Sequence, residues 1–380
     1  MRDLLAGTHL RLGRGGPYLR LLRRLKLHRD EGGEITRVIF VTLAVLWVPF
    51  VLLEIASSEP VPLRADLAVH TRLLVSVPLL IWADVILHDL CALAIEDFTE
   101  RRVAGGEQRE QLPGMLAQAE RLRSSALAEV VFLGLALVGG QASLWGGPSL
   151  ATVLHSHSMI GAARMLWPSC IAVPAFIFLL FRALWRWLIW CWVLWRFSQV
   201  RVRLVPSHPD GCGGLAMLAI PGRAYAIVLA AVGAAVAGSW GTKIIVQGAD
   251  VRSFAAPLGL LVAIALALGV GPLLTFSSQL LSARVLGLAH YGHLAHDYTT
   301  EFDDRWIVHR PDEDLLGTAD IQSLADLATS FRIVHDMRVV IFEARDLLIM
   351  LVGLLVPICP LVFTVVSLND LLKTLAKAVL

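Results

Sequence analysis

The sequence predicts an all-α fold: a polytopic transmembrane bundle of about seven spans with cytosolic helical extensions. Three observations carry that expectation. Hydrophobic residues make up 56% of the 380-residue chain and charged residues 17%, whereas charged residues are about a quarter of a soluble domain. Seven stretches, near 36–56, 73–95, 126–146, 165–187, 224–246, 257–282 and 347–368, approach the ~20 apolar residues that cross a ~30 Å hydrocarbon core. Lysine and arginine number eight in 1–33, five in 97–125, three in 196–222 and six in 284–345, against one, none and one in the loops between. That alternation makes the N-terminus and the basic loops cytoplasmic. The chain then divides into a basic amphipathic N-terminus (1–33), a six-span core (34–283) with cytosolic loops at 97–125 and 196–222, a cytosolic helical segment (284–345), and a last span with its tail (346–380).

In the N-terminal stretch PYLRLLRRLKLH (17–28), Leu21, Leu22 and Leu25 share one face, and Arg20, Arg23, Arg24 and Lys26 surround the other. That pattern suits an interfacial helix on anionic lipid, although eight basic residues also satisfy the orientation rule alone. No compact apolar core followed by small residues marks a cleavable leader, so the first span is read as an anchor. The cysteines (Cys91, Cys170, Cys191, Cys212 and Cys359) show no CxxC pair. Neither a disulfide framework nor a zinc site is expected.

Span two carries Asp84 near its midpoint, His88 one turn later on the same face, and Asp89 beside it, with Pro78 upstream to bend the helix. An ionisable group at that depth costs at least ~2.5 kcal/mol, so it should face helices or water rather than lipid. Glu129 opens span three, whose Gly134, Gly139 and Gly140 permit close approach; Arg182 and Arg186 lie in span four, and Gln279 in span six. Asp84, His88, Asp89, Glu129, Arg182, Arg186 and Gln279 all fall in the inner half of the bilayer and are expected to form one buried network.

Five of the eleven tryptophans crowd into RALWRWLIWCWVLWR (182–196). Indole rings favour the headgroup level, so this stretch marks one membrane face, and residues 187–200 are expected along or just beyond it. Next comes LVPSHPDGCGGL (204–215), where Pro209 and Asp210 suit a turn and Gly211, Gly213 and Gly214 permit left-handed backbone. Glycine amides ahead of a helix can cradle an anion. A Walker lysine and a preceding strand are both missing, so a structural turn is favoured over a nucleotide site.

Span five places Gly233, Ala237 and Gly241 at four-residue spacing, a packing face, and span six is kinked by Pro272. His290, His293 and His296 with Asp297 read as a solvated face rather than a metal site, because no second ligand cluster accompanies them. Residues 311–340 give an acidic loop and an amphipathic helix capped by Thr318 or Asp320, with Ile321, Leu324, Ala328 and Phe331 on its packing face. That face is expected on the tryptophan-rich helix, on the HPDG turn, or on a second copy of the chain.

Two stretches, RLVPSHPDGCGGL (203–215) and GTADIQSLADLATSFRIVHDMR (317–338), resemble a pattern in uncharacterised multi-pass inner-membrane proteins of bacteria. PLLIWADVILH, RSSALAEVV and LFRALWRWLIWCWVLWR are similar to that group too, in the same order, so the resemblance covers most of residues 70–370. It implies a helical fold and a bacterial inner-membrane location, and brings no catalytic residue or cofactor. The histidines at 290–296 are not part of it.

Three functional readings follow. The first is a path for an ion, proton or small solute through the buried charges. The second is a non-enzymatic scaffold or signalling component that binds a cytosolic protein, or itself, through the HPDG turn and the 318–338 helix. Last comes an enzyme on lipid-linked substrates with His208 and Asp210 as acid and base; no nucleophile or metal set accompanies them, so a non-enzymatic role is favoured. A net charge of +2 says little by itself; the partners expected are the lipid bilayer, a second copy or a cytosolic protein, and no nucleic acid.

Overall fold

The computed structural model describes residues 34–57, 67–101, 106–145, 159–200, 202–309 and 319–364. Among them no strand occurs, and six helical stretches are long and apolar enough to cross a membrane: Ile35–Ala56, Leu67–Glu100, Gln111–Gln141, Met159–Ser198, Ala216–Gln247 and Val251–Val308. The chain is an all-helical bundle fit for multiple membrane passes. The amphipathic stretch 17–28, the cap residue Thr318 and the tail 365–380 lie outside the described residues.

Proline punctuates these stretches. The first comprises α1 (Glu34–Leu46) and α2 (Val48–Ala56), parted at Trp47 because Pro49 has no amide to donate. The second joins α3 (Leu67–Thr71) to α4 (Val77–Arg101) through a widened π turn at Arg72–Ser76, immediately before Pro78. In the third, α5 (Gly106–Arg123) and α6 (Ala126–Trp145) meet at Ser124 and Ser125. The fourth repeats the π device: α7 (Met159–Trp167) leads into α8 (Val173–Ser198) across Pro168–Ala172, with Pro174 just beyond. The fifth is α9 (Gly222–Gln247). In the sixth, α10 (Ala255–Val270) turns into α11 (Ser277–Phe302) through a 3-10 segment at Gly271–Phe276, the kink expected at Pro272. Then follow α12 (Ala319–His335) and α13 (Ala344–Leu355).

The bundle is built around α9, which packs on α13, α3 and α4. Its small residues permit this. A Cβ at Gly233 would strike the carbonyl of Leu354, and one at Gly238 would strike Thr71. The approach is reciprocal: a Cβ on Gly353 of α13 would lie 2.6 Å from the Ala226 carbonyl oxygen. Backbones this close maximise dispersion contact, the main attraction between helices in lipid. Gly139 and Gly140 of α6 abut Ile177, Ser169 and Pro174 in the same manner, whereas Gly134 faces open space.

Two expectations are corrected here. Residues 97–125 are not simply a loop: Leu112, Met115, Leu116 and Ala119 recur at helical spacing and are buried, and the helix they build, α5, packs on α8. Nor do the five tryptophans form one belt. Trp187 and Trp190 are core residues; Trp187 stacks on Tyr225 with ring centres 4.4 Å apart and donates to the Leu268 carbonyl at 2.9 Å. Trp185 donates to the Leu122 carbonyl at 3.1 Å, Arg196 covers Trp192, and Trp195 alone of the five is 48% exposed. The lower part of α8 is apolar because protein covers it, with Phe197 stacked on Phe98 of α4 at 4.1 Å.

The seventh apolar stretch is broken rather than continuous. Helix α13 has 12 residues, too few for a crossing, and gives way to a turn at Val356–Ile358 and a 3-10 segment at Cys359–Thr364, beside Pro357 and Pro360. Its contacts climb along α9: Met350 meets Gly222, Gly353 meets Ala226, Leu354 meets Gly233 and Leu361 meets Gly241. The segment therefore runs parallel to α9. At the end of the bundle where α9 finishes, Trp47 donates to His70 Nδ1 at 3.2 Å, and His70 Nε2 lies 3.7 Å from Glu54, tying the first stretch to the second.

Gly353→Val should lower stability by at least about 1–3 kcal/mol, the usual overpacking cost. Thermal unfolding in detergent checks this, with Gly259→Ala, which meets only open space, expected to melt like the wild type.

Candidate functional site

Four of the seven proposed network residues meet. Arg182 and Arg186, one turn apart on α8, face α4, where Asp84 lies between them. Arg186 Nη1 pairs with Asp84 Oδ1, and Arg182 Nη2 lies 3.6 Å from Oδ2, so each carboxylate oxygen serves one guanidinium. Glu129 of α6 completes the group, 3.8 Å from Arg182 Nε. Both arginines are buried. An unpaired buried charge is costly, and three ion pairs among four side chains on three helices solve that cost jointly.

The other three differ. His88, one turn below Asp84, is engaged by Arg123 from the end of α5, with Nη1 2.9 Å from Nδ1. Arginine only donates, so His88 Nδ1 accepts and its ring proton is on Nε2. Asp89 is partly buried and turned about 100° around α4 from His88. Gln279 does not join the network: its Nε2 donates to the Ser198 carbonyl at 2.6 Å, closing the end of α8. That end leaves carbonyls without helical donors, and a long amide from α11 meets the need.

Beside the charges lies a cavity of about 50 Å³. Its polar lining is His88, Arg123 and Arg186, with Cys91 and Trp190; Leu87 and Val193 contribute to its apolar wall. A water needs about 10–15 Å³ of such space, so the cavity takes a few waters or one small ion.

The second site lies at the end of the bundle where α4 and α8 finish and α11 begins, here termed the basal end. The HPDG turn follows α8. Asp210 Oδ1 accepts from the amides of Cys212 and Gly214, both at 3.0 Å, Oδ2 accepts from Ala216 at 3.2 Å, and His208 Nδ1 lies 2.9 Å from Oδ1. Gly211, Gly213 and Gly214 have φ of 67°, 66° and 96°, which a side chain would resist. The amides that might have cradled an anion are thus filled by the turn's own carboxylate. Burial raises the Asp210 pKa, but hydrogen bonds from Cys212, Ala216, Gly214 and His208 outweigh it and hold the carboxyl below its usual value. Burial, reinforced by the Asp210 charge, pushes the Cys212 thiol up to about 12.

The turn is clasped by Arg338, just beyond α12. Its amide donates to the Gly211 carbonyl at 2.8 Å, its Nη2 to the Asp210 carbonyl at 2.7 Å, and its Nη1 pairs with Glu343 at 2.8 Å. Met337 is buried beside Gly213. Helix α12 itself packs on α11 rather than on the tryptophan-rich helix. Val334 is buried and Leu324, Leu327 and Phe331 are partly so, whereas Ile321 and Ala328 are exposed, a packing face rotated from the expected one. Asp320 is no cap; its Oδ2 accepts from Trp306 at 2.9 Å and lies 3.3 Å from Arg305. Tyr291 joins α11 to Ser207 of the turn at 2.7 Å, and Arg284 donates to the His335 carbonyl at 2.8 Å. His290, His293, His296 and Asp297 are exposed on α11.

No protein-family model, no curated protein and no solved structure matches this chain. Sequence reasoning passed over Arg123, which it counted only as an orienting charge, and Arg338, which lay inside a quoted motif without a role. Arg123 had a usable signal: it immediately precedes the SSALAEVV stretch that carries Glu129. Arg338 had none for the clasp, because its partners in the turn are 126–128 residues away.

Asp84→Ala should cost about 3–5 kcal/mol by leaving Arg186 uncompensated, and Asp84→Leu with Arg186→Leu should recover most of it. Unfolding midpoints of the singles and the double decide this; additive losses would refute the pairing. Asp210→Ala should cost about 1–3 kcal/mol and speed hydrogen exchange at Cys212, Gly214 and Ala216. Because the folded carboxyl titrates below its unfolded value of about 3.9, its stabilisation is present above that pH and is lost as pH falls through the folded value. Exchange at these amides should therefore gain extra acid sensitivity only below about pH 4, and only while Asp210 is present.

Proposed function

We propose that this chain is a multi-pass protein of the bacterial inner membrane in which the Asp84, Arg186, Arg182 and Glu129 cluster lines a path for an ion, proton or small solute. The observation that carries the reading is a cluster of four charged side chains, Arg182 and Arg186 buried and Asp84 and Glu129 partly so, with Arg186 reaching a cavity that takes a few waters, between helices that each suffice to span the bilayer. A cavity that takes a few waters supports a proton or a small ion as cargo. The basal end is cytoplasmic in this reading, supported by the arginines of the basic loops. The last segment crosses as a seventh, broken span, supported by contacts that climb α9 from Gly222 to Gly241. Membership of the bacterial group sharing the HPDG and VHDMR stretches rests on those motifs, which here dock on each other through Arg338.

A second reading, a docking or signalling component, draws on the basal clasp. Phe331 packs toward α11, near Gly292, and is committed to the fold, but Ile321 is 41% exposed and available to a cytosolic protein or a second copy. Crosslinking that depends on Ile321 and not on Asp84 would favour it.

The test is ion and proton flux into proteoliposomes of the purified protein, with Asp84→Asn alongside and empty liposomes as the blank. Flux that the substitution reduces at least tenfold, with a cooperative melt retained, supports the path. Wild-type protein indistinguishable from empty liposomes under imposed proton, cation and anion gradients would overturn it.

A further inference from the structure

At the end of the bundle opposite the basal end, α3 and the π turn after it run antiparallel to α9. A Cβ at Gly238 would meet Thr71 and Ala68, and one at Gly241 would meet Leu67. This register sets Arg72, the first residue of the π turn, against Ser239, and its Nη2 donates to the Ser239 hydroxyl at 2.8 Å. That hydroxyl donates its own proton to the Ala235 carbonyl at 2.8 Å, so it holds the guanidinium in place without balancing its charge. Among the described residues no carboxylate pairs with Arg72 or with Lys243, which lies one turn beyond Ser239 on the same face of α9. Leu74 and Val75 are 41% and 40% exposed and Val246 is 53% exposed, apolar surface that lipid covers.

Depth follows from α9. Arg223 and Lys243 are both exposed and stand about 30 Å apart along the helix, the thickness of the hydrocarbon core. With Arg223 at the basal interface, Lys243 lies at the opposite one and Ser239 about 6 Å inside it. Arg72 points toward that interface, because side chains lean toward the N-terminus of their helix and α3 enters from that side.

We propose that Arg72 and Lys243 bind the phosphate of an anionic phospholipid of the phosphatidylglycerol class at the membrane face opposite the basal end. A partly buried guanidinium at this depth needs a counter-charge, and the lipid surface is where one can be supplied. Phosphate oxygens match the planar fork of guanidinium donors. Lys243 adds a second charge at headgroup level, with its stem along apolar surface. Phosphatidylcholine also carries a phosphate, but brings a cation of its own to a site that already has two. The site lies about 18 Å along the helix from Asp84 and stands whether or not the buried cluster conducts.

Purified full-length protein is melted in detergent micelles doped with phosphatidylglycerol or phosphatidylcholine at equal mole fraction, and separately in sodium phosphate at equal ionic strength. A ligand bound only by the folded state raises the midpoint with its concentration. Phosphatidylglycerol should raise it saturably over phosphatidylcholine, and Arg72→Gln should weaken that response about tenfold in the lipid fraction required, the loss of one charge-assisted hydrogen bond. Lys243→Gln alters an exposed side chain and serves if Arg72→Gln fails to fold, with a severalfold weakening expected. Equal responses to the two lipids, or a phosphatidylglycerol response that no folded variant weakens, would overturn the site. Sodium phosphate reproducing the stabilisation in an Arg72-dependent way would overturn the lipid and leave a soluble anion in its place.

Discussion

A guanidinium buried between membrane helices cannot be left alone, and the arrangement of α4, α6 and α8 follows from that constraint. Arg182 and Arg186 present two charges one turn apart, and Asp84 satisfies both only if α4 is rotated to put its carboxylate between them. Glu129 then sets the rotation of α6, which is otherwise the least enclosed of the spans, with 6% of its apolar window buried. Apolar packing alone specifies rotation weakly for a helix largely surrounded by lipid, since most rotations bury similar area. Charge pairing supplies the missing specificity here, as polar groups do in other helical assemblies.

The opposite logic governs α9. It lacks a buried charge on its packing faces and relies on absence of side chains: Gly233, Gly238 and the facing Gly353 let backbone lie on backbone. The bundle therefore has two organising centres, one electrostatic around α8 and one steric around α9. Trp187 joins them, stacked on Tyr225 of α9 and bonded to the carbonyl of Leu268 in α10. This explains why the densest tryptophan stretch of the chain is only partly an interfacial feature. The indole at 187 fills the seam between the two centres, where a large flat group with one donor fits, and that at 190 lines the cavity beside the charges.

What could be read from the sequence was whatever depends on local spacing or on the cost of burial. Six of the seven apolar stretches, the kink at Pro272, the small-residue face of α9 and the pairing of Asp84 with α8 are of that kind. What could not be read depends on partners distant in sequence. Gln279 was expected at the depth of the cluster but closes the end of α8, about 18 Å further along that helix, because span limits read from hydropathy fix depth only loosely. The packing face of α12 was misjudged by one step, from Ala328 to Leu327, since both choices satisfy helical periodicity and α11 decides between them. Arg123 looked like one more positive charge until α5 proved to be a helix that aims it at His88.

These pieces connect the cluster to the basal end through one rigid element. Helix α8 continues past Arg186 for 12 residues to Ser198, about 18 Å of unbroken helix. Gln279 then ties its last turn to α11, and the HPDG turn begins six residues later at Leu204. Arg338 and Tyr291 hold that turn to α12 and α11. A displacement of α8 large enough to loosen Arg186 from Asp84 would have to be absorbed between Ser198 and Leu204 or carried into the clasp. The turn itself resists absorbing it, because the Asp210 carboxylate binds three of its amides at once. The two motif regions are therefore mechanically in series with the buried charges, so a basal partner and the cavity can influence one another through α8 without sharing a residue.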